Sequence, residues 1–486
     1  MLQGMDNVAG AAGMDESEDR VAILDVGKTN IKIVVATADG TPVEILSFPN
    51  SALVTGQYLA IDLPRIQEIV LEALTQLGLR HAIRAIVATA HGCGGVLVDE
   101  AGPVLPAMDY EAQAPDWLAD AYSATAPSYF EVFCSISSGA IRPAQQMLWQ
   151  SIAFPKEFSR AKYFLMTQQY LAYWLGGRPA TEISSLAAQC HLWNPLKGEF
   201  PPIVARQGWL NLFPPFAKAG EVLGAIAPWI VKRTGLDPSV EILAGAHDSN
   251  ANLYRYKAAG MASHTVLSTG TWMIGFNRGR PLEDFDEARA MVANVDVDGE
   301  PVASTLTMTG REYAILAGNP AISDERALAL VPEMIKRGTL PIPSFVEDDG
   351  AFPKSGSKGR IMGPLPTAPA ERGAIAALYA AFTADLCLDA LGSATPIVID
   401  GGFATNLAFG RLVAALRPNQ PVSMSRSKDG TALGAGLLWR RFQRREHIRS
   451  VIVDPVSANH MPHLRETFLR WRALADKVGE SGKAID

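Results

Sequence analysis

Residues 21–35 constrain the fold more than any other segment, because two β-branched apolar stretches flank a short polar turn. Residues 21–24 and 31–35 have strand length and composition, and Gly27-Lys28-Thr29-Asn30 between them is turn chemistry. The pattern predicts a β-hairpin with Asp25 at the end of its first strand. Backbone N–H groups of such a turn, with the Thr29 hydroxyl, can cradle phosphate oxygens, and Asp25 can hold a hydrated magnesium ion beside them. The turn is not a P-loop. That motif requires a glycine five residues before Gly27, where Ala22 stands, and a helix afterwards, whereas the residues following Lys32 stay β-branched. Taken alone, the segment is equally an ordinary hairpin with a polar turn.

A chain of 486 residues, 48% of them hydrophobic, exceeds the roughly 250–300 residues at which single cores usually divide, so two domains are expected. The formal net charge of −7 argues against nucleic-acid or membrane-surface partners and for small-molecule chemistry. Cys93, Cys134, Cys190 and Cys387 show neither a C-x-x-C pair nor zinc spacing, and read as reduced structural thiols of a cytoplasmic protein. His91-Gly92-Cys93 has no second cluster to complete a four-ligand metal set. Residues 1–20, with Asp6, Asp15, Glu16, Glu18 and Asp19 and no apolar periodicity, are expected to form a disordered acidic tail rather than a signal peptide. No uncharged apolar stretch of about 18 residues predicts a membrane span.

Strands at 21–24, 31–36 and 43–48, a helix at 63–78 and a strand at 85–88 running into Thr89-Ala90-His91-Gly92 predict an α/β fold, a mixed sheet flanked by helices. Residues 139–216 are richer in helical pattern and tryptophan. A second unit is expected from about Gly245. It has an apolar strand at 240–243, the turn Gly245-Ala246-His247-Asp248, a helix at 249–256, and a strand at 265–267 leading into Ser268-Thr269-Gly270-Thr271. Residues 342–363 read as a long surface loop. A helix at 372–391, a strand at 396–399, the turn Asp400-Gly401-Gly402-Phe403-Ala404-Thr405-Asn406, a helix at 407–416 and an apolar run at 431–439 follow. Beyond them, Arg440, Arg441, Arg444 and Arg445 read as the solvated face of a basic helix. The expected division is a tail at 1–20, an N-terminal domain at 21–244, a C-terminal domain at 245–445 and a helical tail at 446–486.

The turns at 25–32, 268–271 and 400–406 each follow an apolar strand and combine glycine with a hydroxyl or amide residue. Two such turns facing across a cleft could grip nucleotide phosphates, and Gly401-Gly402 could let a flat base lie against backbone. Asp248 supplies a carboxylate of the kind that accepts a substrate hydroxyl proton in phosphoryl transfer, although its position suits a helix cap equally well.

The ordered set Asp25-x-Gly27-x-Thr29-x-x-Lys32, Gly245-x-His247-Asp248, Ser268-Thr269-Gly270-Thr271-Trp272, Gly401-Gly402-x-x-x-Asn406 and Ala432-Leu433-Gly434-Ala435-Gly436 resembles the FGGY family of carbohydrate kinases. The likeness runs from about residue 20 to about residue 440. It implies two actin-like, ribonuclease-H-like domains closing on ATP and a sugar, with the active site in the cleft between them. It further implies Asp248 as general base and Asp25, with Asp248, on Mg2+. Gly27, Lys28, Thr29, Asn30, Lys32, Ser268, Thr269, Gly270 and Thr271 would hold phosphates, and Gly401, Gly402, Phe403 and Asn406 adenosine.

Within that resemblance, Ser268-x-Gly270-Thr271-Trp272 and Gly27-x-Thr29-Asn30 are similar to kinases of deoxyketoses such as rhamnulose and fuculose. The sugar-side loops depart from the commoner pattern, with Thr89-Ala90-His91-Gly92 and Asp109-Tyr110-Glu111 in place of its usual residues. His91, Gly92, Asp109, Glu111, His247, Asp248 and Trp272 are the expected acceptor-site residues, with His91 equally readable as a structural histidine. A homodimer is the candidate assembly. A degenerate actin-like sugar or nucleotide sensor, or a kinase of another pentose or polyol, is the alternative. A dinucleotide oxidoreductase is disfavoured because no G-x-G-x-x-G follows the first strand.

Overall fold

Both faces of the first strand are apolar, which places it inside a layered structure. In the computed structural model, which describes residues 19–136, 139–347, 350–458 and 460–481, β1 (Arg20–Val26) sends Ala22, Leu24 and Val26 into one core and Val21 and Ile23 into another. The acidic tail expected at 1–20 lies, through residue 18, outside the described residues. β2 (Asn30–Thr37) completes the hairpin antiparallel to β1, with Asp25 opposite Lys32, and β3 (Pro42–Pro49) pairs antiparallel with β2. β4 (Ile83–Ala90) lies parallel to β1. With β5 (Val222–Ala225) and β6 (Glu241–His247) they form a six-stranded sheet ordered β5-β6-β4-β1-β2-β3.

Helix α1 (Leu63–Gly78) covers one face of this sheet. Its buried Ile66, Val70, Leu74 and Leu77 recur at helical spacing, and the Asp62 carboxylate accepts the Arg65 N–H at 3.2 Å to cap its first turn.

A second sheet repeats the same order of pairings. β7 (Thr265–Thr269), β8 (Met273–Asn277), β9 (Met291–Val295), β10 (Pro301–Thr307), β11 (Ile397–Gly401), β12 (Val422–Ser425) and β13 (Val453–Pro455) are arranged β9-β10-β8-β7-β11-β12-β13. The antiparallel trio β7, β8 and β10 matches β1, β2 and β3, and β11 and β12 run parallel to β7 as β4 and β6 run parallel to β1. The repeat anticipated in the sequence is therefore real, but its phase differs. The strand leading to Gly245 is hydrogen-bonded to β4 in the first sheet, and the second copy of the hairpin begins at Thr265. An apolar strand ending in a polar turn recurs too often in this chain for pattern alone to assign it to a sheet.

The seam between the halves is a helix pair. α2 (Asp248–Ala258) packs on α6 (Gly430–Gly436), whose Ala432, Leu433 and Ala435 share a core with Val21, Ile23 and Val34 of the first sheet. A Cβ at Gly434 would stand 2.0 Å from the Ala251 carbonyl oxygen, so the small residues of this run serve close helix approach. The second core is built around α4 (Pro369–Ala390), which holds Leu378 and Phe382 against Phe409 of α5 (Leu407–Leu416) and Phe468 and Trp471 of α7 (Leu464–Ser481). α4 is the one helix among the described residues long and apolar enough to cross a membrane, and it is enclosed by this core.

Two local expectations are refined. The loop expected at 342–363 is bracketed by the paired strands Leu340–Ile342 and Arg360–Met362, and among its described residues Ala351, Phe352 and Ser355 are buried while Pro353, Lys354, Ser357 and Lys358 are exposed. Residues 440–445 form no helix. Arg441 donates to Asp298 at 2.9 Å and Arg444 to the Ala38 carbonyl at 2.8 Å, so these two tie chain segments together, whereas Arg440 and Arg445 are exposed as expected.

Candidate active site

β6 ends at His247 and α2 begins at Asp248, which places a carboxylate on the first residue of a helix at the seam of the two halves. Asp248 is thus not the residue that precedes and caps the helix. Its Oδ1 accepts the Ser249 N–H at 2.5 Å and lies 3.0 Å from His247 Nε2. On its other side the His247 ring meets Asn250 Oδ1 at 2.7 Å, and the Asn250 amide donates to the Val295 carbonyl. Burial pushes the Asp248 carboxyl up, but the charge and hydrogen bond of His247 outweigh it and hold the group below its ordinary range. Burial likewise disfavours the His247 cation, yet Asp248 and Asn250 hold it above its usual value. Each partner therefore favours the charged form of the other. His247 is 4% exposed, with both ring nitrogens engaged by Asp248 and Asn250.

Asp25 lies beside this pair, at the end of β1. Burial, then the neighbouring carboxylates of Asp248 and Asp429, push it up to about 7 against the opposing charge of Lys32. Lys32 Nζ is itself 2.7 Å from Asp429 Oδ1, joining β2 to the residue that leads into α6. Asp429 was not singled out in the sequence; its mark there is an acidic residue directly before an apolar helical run. Among the described residues no group of three histidine, cysteine or carboxylate side chains forms a complete metal cage. One or two mutually repelling carboxylates suit a hydrated magnesium ion, which keeps several waters and takes phosphate oxygens as further ligands. Asp25 and Asp248 have that character.

On the acceptor side, Lys28 Nζ sits 2.5 and 2.6 Å from the two oxygens of Asp109, 3.2 Å from Glu111 and 4.9 Å from the centre of the Tyr110 ring. Lys28, expected at the phosphates, is thus engaged with two of the residues expected at the acceptor. His91 packs edge-on against Tyr110, and its Nδ1 accepts the Cys93 N–H at 3.3 Å, which leaves Nε2 to carry a proton. Burial holds His91 below its ordinary value despite the charges of Asp248 and Asp109, so it is a neutral donor. Gly92 acts by size: a Cβ there would meet Ala188 Cβ at 2.5 Å and His247 Cδ2 at 3.2 Å.

The expected phosphate turns divide into exposed tips and buried supports. Thr29, Asn30, Gly270, Thr271 and Gly402 are exposed, and Ser268 is half-buried. The Gly27 N–H closes its own hairpin on the Asn30 carbonyl at 2.9 Å. Thr269 is buried, donating its hydroxyl to the Asp400 carbonyl at 2.5 Å and accepting the Phe403 N–H at 2.8 Å, so it fastens one turn to the other. Gly401 has φ +83°, and a Cβ there would stand 2.0 Å from the Thr269 carbonyl oxygen. Phe403 packs on Tyr313 and Phe409, with centroids 5.0 and 4.8 Å away, and Asn406 Oδ1 caps α5 by accepting the Phe409 N–H at 3.0 Å. Phe403 and the Asn406 Oδ1 thus brace the Gly401-Gly402 turn from within the fold.

Trp272 lines a cavity of about 1060 Å³ between the halves, with Tyr110, Glu111, Met308, Arg311 and Phe345. Arg311, near the start of α3 (Thr309–Ala317), faces Glu111 across it at 3.7 Å.

Two sheets of one topology, each bringing polar turns to a common cleft, define an actin-like two-domain architecture. The chain belongs to the FGGY family of carbohydrate kinases: the family's N-terminal domain matches residues 21–254, and the carbohydrate kinase FGGY C-terminal domain matches residues 261–447. A carbohydrate kinase from Novosphingobium aromaticivorans has 30% identity and a TM-score of 0.82, with 96% of this chain and all of that one (100%) covered. A xylulose kinase from Lactobacillus acidophilus, at 17% identity and TM-score 0.78 over 96% of this chain and 99% of its own, shares the fold. The L-fuculokinase of Escherichia coli is 23% identical over 268 residues, 53% of this chain and 56% of that protein. The chain thus spans about half the length of the curated relatives it matches.

Proposed function

We propose that the protein transfers the terminal phosphoryl group of ATP to a primary hydroxyl of a sugar, a ketose or deoxyketose of the rhamnulose or fuculose type, giving a sugar phosphate and ADP. The observation that carries this reading is Asp248, a carboxylate kept ionised by an enclosed His247 at the cleft where the phosphate-type turns meet. Asp248 accepts the acceptor's hydroxyl proton as the oxygen attacks phosphorus. His91 donates a hydrogen bond to the acceptor, and Asp109 and Glu111 accept from its hydroxyls. The exposed turn tips at Thr29, Asn30, Gly270 and Thr271 hold the phosphates, and Gly401-Gly402 the adenosine. Asp25 and Asp248 hold magnesium, which when bound neutralises phosphate charge.

Purified protein incubated with ATP, magnesium and a sugar and polyol panel should release ADP with at least one acceptor, deoxyketoses first among them. Asp248→Asn should bind ATP nearly as wild type and lose about 100-fold or more in turnover. ATP binding without acceptor-dependent ADP release would favour a nucleotide-gated sugar sensor instead.

A further inference from the structure

The helix that begins with Asp248 carries three more polar residues toward the second half, Asn252, Arg255 and Tyr256, all nearly inaccessible to solvent. Arg255 and Tyr256 fall between the two matched family domains, which end at 254 and resume at 261. Arg255 Nη1 lies 3.3 Å from Asp400 Oδ2, with side chains 2% and 1% exposed, and reaches Ser425 Oγ at 3.4 Å. The Tyr256 hydroxyl donates to the same Asp400 oxygen at 2.5 Å.

Asp400 then branches into both nucleotide-side turns. Its Oδ1 accepts the Gly401 N–H at 2.7 Å, and its backbone carbonyl accepts the Thr269 hydroxyl at 2.5 Å. Gly430 lies against the cluster: a Cβ there would stand 2.8 Å from both Arg255 Nη1 and Asn252 Oδ1, and 2.9 Å from Asp400 Oδ2. Four segments therefore meet at one guanidinium: the base-bearing helix, the end of β11 through Asp400, the end of β12 through Ser425, and the start of α6, while the end of β7 joins them through the Thr269 hydroxyl on the Asp400 carbonyl.

A buried ion pair is a poor way to gain stability, since removing both charges from water offsets most of their attraction, and apolar residues would fill the space as well. What a fully engaged charged pair does supply is one fixed mutual orientation. We propose that Arg255 and Asp400 are positioning residues for phosphoryl transfer, locking the turns at 268–271 and 401–402 to the helix that presents Asp248. The base and the nucleotide-binding turns come from different sheets; apolar packing of Leu253 and Tyr256 on Val266 and Val398 brings the helix against the second sheet, and the Arg255–Asp400 pair adds a directional contact that fixes its position relative to the turns. The proposal rests on the kinase reading above.

The test compares Arg255→Lys, Tyr256→Phe and the charge-balanced double variant Arg255→Met/Asp400→Asn with wild type. Circular dichroism and melting temperature report folding, calorimetry reports ATP affinity, and kcat and KM are measured with the best panel acceptor. The double variant should lose about 100-fold in kcat and about tenfold in ATP affinity while acceptor KM changes little, because a misplacement of about 1 Å suffices for such losses. Arg255→Lys should recover part of the kcat, and Tyr256→Phe, which deletes one hydroxyl, should show the same pattern in milder form. A folded double variant, or a Tyr256→Phe protein if the double variant does not fold, whose kcat and ATP affinity stay within about twofold of wild type would overturn the proposal and leave the pair a packing feature. Wild-type protein that binds no ATP would instead remove the kinase reading itself.

Discussion

Lys28 grips Asp109 through both carboxylate oxygens, at 2.5 and 2.6 Å, while its ammonium also lies 3.2 Å from Glu111. The residue whose place in the hairpin turn suggested phosphate contact is thereby joined to the loop expected to bind the acceptor. One cation between two carboxylates keeps them from repelling each other and holds them in fixed positions, as the proposed acceptor site would need. Lys28→Met should therefore raise acceptor KM by about tenfold and leave ATP KM within about twofold of wild type, measured by coupled ADP release. A rise confined to ATP KM would return Lys28 to the phosphates.

His247 holds Asp248 ionised, and removing its charge should be visible in the pH dependence of turnover. The folded-state value of Asp248 is depressed, so its carboxylate persists as pH falls below the ordinary carboxylate range. His247→Gln deletes the largest opposing influence and leaves burial countered only by His91 and the Ser249 N–H, which raises the Asp248 value. The acid limb of the kcat profile should then move to higher pH, while kcat on the alkaline plateau falls less than in Asp248→Asn. Stopped assays from pH 4.5 to 9 check this, and an unmoved acid limb would show that His247 does not govern the base.

Much of the architecture was legible because it rests on local pattern. The hairpin about residues 27–30, the helix Leu63–Gly78 and the helix Leu407–Leu416 follow from runs of β-branched residues or from apolar residues at helical spacing, bounded by turn chemistry. Thr29 at an exposed turn tip, Asp25 near a strand end and Asp248 directly after a strand stand where the sequence pattern puts them, and their proposed roles rest on that placement. The candidate site was not legible where a side chain acts through partners distant in sequence. Thr269 fastens two turns 131 residues apart, Lys32 reaches Asp429 397 residues away, and Arg255 finds Asp400 145 residues away. No local spacing encodes such pairings, since they depend on how two sheets dock.

Asp25 provides a pH-dependent term in stability. Its folded value of about 7 lies above the ordinary 3.8, so the folded protein binds a proton more tightly than the unfolded chain. Stability from this group is full below the unfolded value, declines as pH rises from about 4 toward 7, and reaches its lower plateau above 7. Asp25→Asn removes the like-charge repulsion with Asp248 and Asp429. Without magnesium or nucleotide, the variant should melt higher than wild type at pH 8, with the difference shrinking toward pH 5. Differential scanning calorimetry at the two pH values checks it, and an equal difference at both would assign the effect to packing alone.

The meeting of α2 and α6 provides the most direct structural prediction. Gly434 lets the two helices approach until a Cβ would stand 2.0 Å from the Ala251 carbonyl oxygen, and Gly436 lies as close as 3.0 Å by the same measure to Ile23 Cδ1. The first obstacle is backbone and cannot swing aside, whereas the second is the end of a flexible side chain. Gly434→Ala should therefore separate the helices and destabilise the protein by about 1–3 kcal/mol or more, as overpacking does, while Gly436→Ala should cost less. Because α2 begins with Asp248, the Gly434 variant should also lose turnover beyond what its unfolded fraction explains. Urea unfolding of both variants, with activity measured well below the transition, separates the two effects; equal stability losses at the two positions would show that the seam is looser than the backbone contact implies.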